Sequence, residues 1–392
     1  NTIPESEAKL LKNVLYRLYD FLNSGYVREP HNIDDVIIDF AGTDYADNEE
    51  NSLLDGTSAK IVALRTKISD DIYSITIMLV NGSKITPAKA VDCIFQSSIK
   101  VNSNLNDFVF VENSSNANTD YMDEEDKSLE LLYRNKKIYA TGLGTSVDWD
   151  IDVSGNGILW TDFFPIKEIP SMSFSLPKNN MLADNELSMK YLSDLDDTDK
   201  NVKLESMKKL VDLYSEWIEK LKETARTLDS RYLSSAARNI YKCEKAAARM
   251  YGGIETLRTN DKAFAAFELA NRAMFMQRVH IQKLSEMSRE NADRYPDDME
   301  ISKWLGELDY TKESDSNCLW RPFQIAFLLM DINSIVYDES EDRSIVDLIW
   351  FPTGGGKTEA YLGLTGFTIF YRRLAYPERS EGTTVIMRYT LR

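Results

Sequence analysis

Phe351-Pro352-Thr353-Gly354-Gly355-Gly356-Lys357-Thr358 is the stretch on which the reading of this chain turns. An apolar run, Ser344-Ile345-Val346-Asp347-Leu348-Ile349-Trp350, precedes it, and a helix-compatible segment over about 358–374 follows. Strand, glycine-rich loop and helix in that order make a phosphate cradle. Backbone N–H groups wrap the phosphates, and three successive glycines, Gly354, Gly355 and Gly356, remove the side chains that would obstruct them. The helix aims its positive end at the ligand, Lys357 neutralises charge on the β and γ phosphates, and the Thr358 hydroxyl suits Mg²⁺. ATP and Mg²⁺ are therefore the expected cofactors, with Lys357 and Thr358 as the catalytic pair and Thr353 beside the glycines as a further nucleotide contact.

The general pattern GxxxxGK[ST] places glycine where this chain has Phe351. The variant Pro-Thr-Gly-x-Gly-Lys-Thr resembles the form found in superfamily 2 helicases and translocases. Upstream, Arg321-Pro322-Phe323-Gln324 resembles the Arg-x-Tyr-Gln element of many such proteins. An amide both donates and accepts, so Gln324 suits the adenine edge, although a polar helix residue next to proline would look the same. Downstream, Gly382-Thr383-Thr384-Val385-Ile386-Met387 has the character of a second parallel strand, giving a βαβ unit. Arg388, Tyr389, Thr390 and Arg392 then fall where open α/β sheets place ligand loops. They stand where superfamily 2 proteins contact a nucleic-acid backbone, and an ordinary basic loop is the equal alternative.

Composition narrows the field. The chain has 392 residues, enough for two or three domains, and 43% hydrophobic content, ordinary for a soluble globular protein. Its longest apolar stretches, such as 323–330, are too short to span a bilayer. Cys93, Cys243 and Cys318 are scattered and odd in number, which argues against a disulfide framework or a zinc site and fits a reducing cytoplasm. Two histidines, His31 and His280, leave little for histidine-based catalysis or metal ligation. A net charge of −17 excludes a general basic coat, so DNA contact must be local. From Lys357 onward the balance reverses: Lys357, Arg372, Arg373, Arg379, Arg388 and Arg392 stand against Glu359, Glu378 and Glu381.

Taken in order, residues 5–26 have helical spacing, and 39–56 make an acidic loop. Strands are expected at 75–80, 90–101, 108–111, 137–141 and 157–163, with Asn81-Gly82 as a hairpin turn. Asp148, Asp150 and Asp152 alternate as in a calcium loop, but Val153 and Leu159 replace its glycine and glutamate, so no calcium site is expected. Residues 113–126 read as an acidic loop. The acidic tail 193–200 is placed to cap a helical region over 201–288, where Met207, Leu210, Val211, Tyr214, Trp217, Ile218 and Leu221 form a first apolar stripe and Leu233, Ala237, Ile240, Tyr241 and Ala247 begin a second. Gly252-Gly253 would punctuate the second helix and Asn260 or Asp261 cap a third. A polar stretch covers 290–316. The expected fold is multidomain α+β and α/β: 1–57 helix and acidic loop, 58–185 β-rich domain, 186–316 helical domain and linker, and 317–392 the start of a RecA-like parallel sheet.

The blocks 348–364 and 384–392, with weaker echoes at Leu79-Val80-Asn81, Ile94-Phe95-Gln96, Tyr139-Ala140-Thr141-Gly142, Ala266-Phe267 and Asn271-Arg272-Ala273-Met274, are similar to the N-terminal part of DrmA-type helicases of the DISARM phage-defence systems. The resemblance implies an ATP-driven enzyme that engages phage DNA and works with a companion protein in a system that also holds methyltransferases; the short apolar stretches add the expectation of no membrane. It also implies an Asp-Glu-x-His element and a second motor domain, neither of which occurs before Arg392, so the chain alone is expected to bind nucleotide weakly if at all and not to translocate. The competing expectation is an adaptor whose N-terminal regions recruit partners while the nucleotide site is a switch or inert.

Overall fold

The computed structural model describes residues 12, 14–15, 31–33, 35–40, 42–47, 53, 58–82, 94–103, 108–113, 122–164, 166, 172–174, 176, 182, 185–290, 297–351, 354–379 and 381–388. The architecture is mixed helix and strand. It divides into two compact units, one from 1–116 and 136–168, the other from 117–135 and 169–392.

The first unit holds two antiparallel sheets. Strands β1 (Tyr45–Asp47), β2 (Ala59–Ser69) and β3 (Ile72–Asn81) lie in sequence order. Strand β1 lies within the expected acidic loop: the short run Tyr45-Ala46-Asp47 pairs with β2, burying Ala46 opposite Ala63. The hairpin between β2 and β3 turns at Asp70-Asp71, and Asn81-Gly82 stands at the far end of the ladder, where Gly82 N donates to Ser58 O. Aspartate tolerates the left-handed backbone that a tight turn needs, and Asp71 adopts it at φ +63°. The second sheet has β4 (Lys100–Asn102), β5 (Ser146–Ile151) and β6 (Gly157–Asp162) in the order β4-β6-β5.

Residues 108–111 and 137–141, expected as strands, form no ladder among the described residues. Single backbone bonds tie them, Phe110 N to Gly155 O and Asn113 N to Ile138 O, each 2.7 Å. Asp152 is occupied by its own turn, its Oδ1 accepting from Ser154 N and Asn156 N at 2.7 and 3.0 Å. Among the described residues no group of three or more acidic, histidine or cysteine side chains could hold a metal ion.

The second unit is helical. It comprises α1 (Glu124–Tyr133), α2 (Lys200–Ala225), α3 (Leu233–Thr259), α4 (Asp261–Glu290), α5 (Asp298–Glu307), α6 (Pro322–Val336) and α7 (Lys357–Ala375). Helix α1 replaces part of the expected acidic loop. Asp123 caps it by accepting from Asp126 N at 2.8 Å, and Glu124, Glu125 and Asp126 complement its first-turn dipole. Helix α5 likewise interrupts the expected polar stretch, with Asp297 and Glu300 closing a reciprocal cap. Asp199 caps α2 as expected, and Asn260 Oδ1 accepts from Ala263 N at 3.0 Å at the start of α4. Of the expected helix over 5–26, residues 12, 14 and 15 are described and are helical.

The main core joins Met207, Leu210, Val211 and Ile218 of α2, Met250, Ile254 and Leu257 of α3, Phe267, Phe275 and Val279 of α4, Leu328 and Ile332 of α6, and Phe367 of α7. Trp217 and Tyr241 lie outside it, exposed, because the buried stripes of α2 and α3 turn away from them; Trp217 stacks on Tyr214 instead. Gly252 and Gly253 do not punctuate α3, which runs through both. A Cβ on Gly253 would meet Leu329 O at 2.0 Å, so the glycine permits the backbones of α3 and α6 to touch. Gly363 of α7 serves a similar purpose against the Trp320 ring.

Residues 344–350 and 382–387, expected as parallel strands, carry no ladder pairing among the described residues. Val346, Leu348, Trp350 and Ile386 are 94, 82, 85 and 87% exposed. A strand gains its hydrogen bonds and its burial from neighbours, and these side chains have neither. No helix among the described residues is long and apolar enough to cross a membrane.

Candidate functional site

The glycine loop runs into α7 with the backbone that its sequence requires. Gly354 and Gly356 adopt φ +79° and +80°, a region that disfavours any side chain, and Gly356 is the N-cap of α7. A Cβ on Gly356 would sit 2.6 Å from Gln324 Nε2. Lys357 and Thr358 open the helix, and Lys357 Nζ donates to Phe351 O at 2.5 Å.

Gln324 is buried at the third position of α6. Its Nε2 donates to Gly356 O at 2.7 Å and its Oε1 accepts from Arg321 N at 2.8 Å. Both ends of the amide that suits adenine are thus engaged in the fold, joining the start of α6 to the loop. Phe351, the departure from the general glycine pattern, stacks on Phe323 at 3.9 Å, with Phe174 6.0 Å away. The ring belongs to an aromatic cluster, and Arg321 lies over Phe174 at 4.1 Å.

The loop glycines, Lys357, Thr358 and Gln324 line a cleft of about 560 Å³, within the range of small-ligand sites. Three charged residues that the sequence reading did not assign line it too: Arg278 of α4, Arg321, and Glu359 in the first turn of α7. Arg321 belonged to the quoted element around Gln324; Arg278 had no local signal, since it is one polar residue on an amphipathic helix far upstream. Arg278 Nη1 is 3.9 Å from Glu359 Oε1, and Arg321 Nη1 is buried without a hydrogen-bond partner. Three cations therefore face one carboxylate. A smaller cleft of about 290 Å³ beside β6 has Asp162 as its charged residue and lacks cations. The larger cleft is accordingly the candidate site.

Thr353, Tyr389, Thr390 and Arg392 lie outside the described residues. Arg388 is exposed and does not line the cleft. Arg372, one of the C-terminal cations, donates to the carbonyls of Arg379, Glu381 and Thr383 and so braces the segment after α7. His280 is linked to Tyr310 at 2.7 Å, and burial lowers its pKa. Cys243 and Cys318 are free thiols; Cys93 lies outside the described residues.

The segment entering the loop is held from α3. Arg249 makes two 2.7 Å bonds to Asp347, with Asp331 of α6 at 3.5 Å and Asp342 at 3.6 Å. Burial, and then the charge of Asp347, push Asp331 up to about 7, while the hydrogen bonds from Arg249 hold Asp347 below the usual carboxylate range. The folded chain thus keeps a proton on Asp331 that the unfolded chain releases near its ordinary value of 3.8. Stability contributed by this group falls as pH rises from about 4 toward 7 and is level beyond. Asp331→Asn is expected to remove that slope. Urea midpoints at pH 5 and pH 8 should drop more in the wild type than in the variant, and equal drops would contradict the assignment.

No protein-family model matches the chain. The DISARM protein DrmA of Bacillus paralicheniformis (strain ATCC 9945a / NCIMB 11709 / CD-2) is 34% identical to it over 347 residues, covering 85% of this chain and 28% of the relative. The chain therefore spans little more than a quarter of the length of the curated relative that it matches.

Proposed function

We propose, from the premise that this chain belongs to the DrmA family of DISARM proteins, that its cleft binds ATP with Mg²⁺ and that the full-length gene product is a superfamily 2 helicase or translocase of antiviral defence, acting on DNA in the cytoplasm. One observation carries the nucleotide reading: a glycine loop with two left-handed residues leads into a helix whose first residues are Lys357 and Thr358, in a cleft where cations outnumber carboxylates. That donor set fits a polyphosphate, because loop N–H groups, an ammonium and a guanidinium with an unused donor all seek acceptors.

In this reading Gly354, Gly355 and Gly356 wrap the phosphates beside Thr353, Lys357 binds the β and γ groups, and Thr358 offers its hydroxyl to Mg²⁺. Gln324 reads adenine by exchanging the carbonyl of Gly356 for the base, and Arg388, Tyr389, Thr390 and Arg392 lie along the nucleic-acid backbone. Residues 317–392 open a RecA-like domain in which 344–350 and 382–387 are parallel strands; the exposed Val346, Leu348, Trp350 and Ile386 supply the apolar faces such a sheet buries. Regions 1–57, 58–185 and 186–316 are accessory, and a companion defence protein is the expected partner.

ATP hydrolysis by the full-length gene product, measured with Mg²⁺ and with none, single-stranded or double-stranded DNA, tests the reading. DNA-stimulated hydrolysis is the expected result. A folded protein without hydrolysis under any of these conditions would remove the motor and leave an adaptor with a regulatory or inert site.

A further inference from the structure

Arg278 belongs to α4, far from the loop in sequence, yet its guanidinium lines the cleft with Lys357 and Thr358. Its contacts there are loose. Nη1 is 3.9 Å from Glu359 Oε1 and Nη2 donates to Asn317 O at 3.4 Å, with both ion-pair side chains about a third exposed. A pair of this length and exposure contributes little, so it is easily exchanged. Glu359 directly follows Thr358, which sets its carboxylate beside the position of a polyphosphate, where an unpaired negative charge would oppose binding.

Arg321 contributes an independent observation that favours an anion as the ligand. Its Nη1 is buried with no acceptor and lies 3.3 Å from where a Cβ of Gly356 would be. A buried charged donor without a partner is costly, and a phosphate oxygen would satisfy it. The position of Arg278 is fixed by the scaffold. Trp320 Nε1 donates to Asn271 Oδ1 of α4 at 2.7 Å while the Trp320 ring packs on Gly363 of α7, so this buried ring joins α4 to the helix carrying Lys357, which also packs on α4 directly at Ala270 and Gly366.

We propose that Arg278 is a phosphate-sensing side chain supplied in cis by the helical region: it leaves Glu359 and binds the terminal phosphate of a nucleoside triphosphate, while Arg321 contacts the phosphate chain from the Gly356 side. The proposal rests on the nucleotide reading of the cleft. The contact is non-covalent; a guanidinium gains a bidentate fit to phosphate in exchange for one distant carboxylate. A nucleoside diphosphate lacks the terminal group and leaves Arg278 with Glu359. The helical region is thereby made responsive to whether tri- or diphosphate occupies the cleft.

The test is isothermal titration of the full-length gene product with Mg²⁺ and either an ATP analogue bearing a non-hydrolysable β–γ bridge or ADP. Wild type, Arg278→Gln, Arg278→Lys, Glu359→Gln and Lys357→Ala are compared, with melting temperatures taken in parallel. Arg278→Gln is expected to weaken the triphosphate analogue about tenfold while leaving ADP within about twofold. Arg278→Lys should restore part of the loss, and Glu359→Gln should strengthen the analogue. Equal weakening of both nucleotides with a lowered melting temperature would make Arg278 structural and overturn the proposal. Unchanged binding in Arg278→Gln, with both nucleotides lost in Lys357→Ala, would overturn the proposal and leave the nucleotide reading standing. If the wild type binds neither nucleotide, the nucleotide reading falls and the proposal falls with it.

Discussion

Lys357→Ala is expected to weaken ATP binding by the full-length gene product about 100-fold, the scale of losing a charge-assisted contact to phosphate. The ammonium stands at the glycine loop, where it donates to the Phe351 carbonyl. Alanine removes this charge while retaining a good helix former at the first position of α7, and the core packing of α7 rests on Phe367 and Tyr371 further along. The fold should therefore survive, with the melting temperature nearly unchanged. Titration with ATP and a thermal scan on the same samples separate the two effects. Undiminished affinity in the variant would place nucleotide binding elsewhere.

A larger effect on stability is expected at Gly253. Gly→Ala inside a helix ordinarily stabilises by about 0.5–1 kcal/mol, because alanine loses less conformational entropy on folding. At Gly253 the new methyl would stand 2.0 Å from the Leu329 carbonyl oxygen and 3.0 Å from its carbon, both backbone atoms of α6. Helices α3 and α6 would have to separate, disturbing Ile254, Leu257 and Leu328 in the core, at a cost of about 3 kcal/mol. The adjacent Gly252 meets nothing within 4 Å, so Gly252→Ala should follow the ordinary rule and stabilise. Urea unfolding of the two variants beside the wild type gives the comparison. Equal effects at the two positions would refute the close approach of α3 and α6.

What the sequence disclosed depended on the range of the interaction that fixes each feature. The glycine loop, the cap at Asp199 and strands β3 and β6 were legible because their causes are local: backbone freedom, a carboxylate near free N–H groups, and runs of apolar residues. The pairing of β3 with β2 through Asp70-Asp71 was not foreseen, because Asp70-Asp71 is a weaker turn signal than Asn81-Gly82, whose continuation lies outside the described residues. Helix α1 was missed because Asp123 to Asp126 look like a solvated acidic run unless they are read as a cap and first turn. Tyr45-Ala46-Asp47 is too short to announce a strand without β2 beside it. In the cleft, Lys357 and Thr358 were nameable from the glycine-loop motif and Gln324 from the resemblance of its element, whereas Arg278 and the Arg249 network are joined to the loop by helix packing that no local pattern encodes.

The bond between Trp320 and Asn271 has a mechanical corollary. Together with Phe275 and Val279 of the core, it holds α4 beside the helix that starts at Lys357; beyond Val279 the helix runs on to Glu290, roughly 16 Å at 1.5 Å per residue. The held stretch is a fulcrum close to the cleft, and the turns beyond it are an arm. A rotation of about 5° at that fulcrum would sweep the distal end through ~1.4 Å, since stiff helices carry small local shifts to distant points. Displacements too slight to notice at the loop would thus be legible to whatever touches the far end of α4.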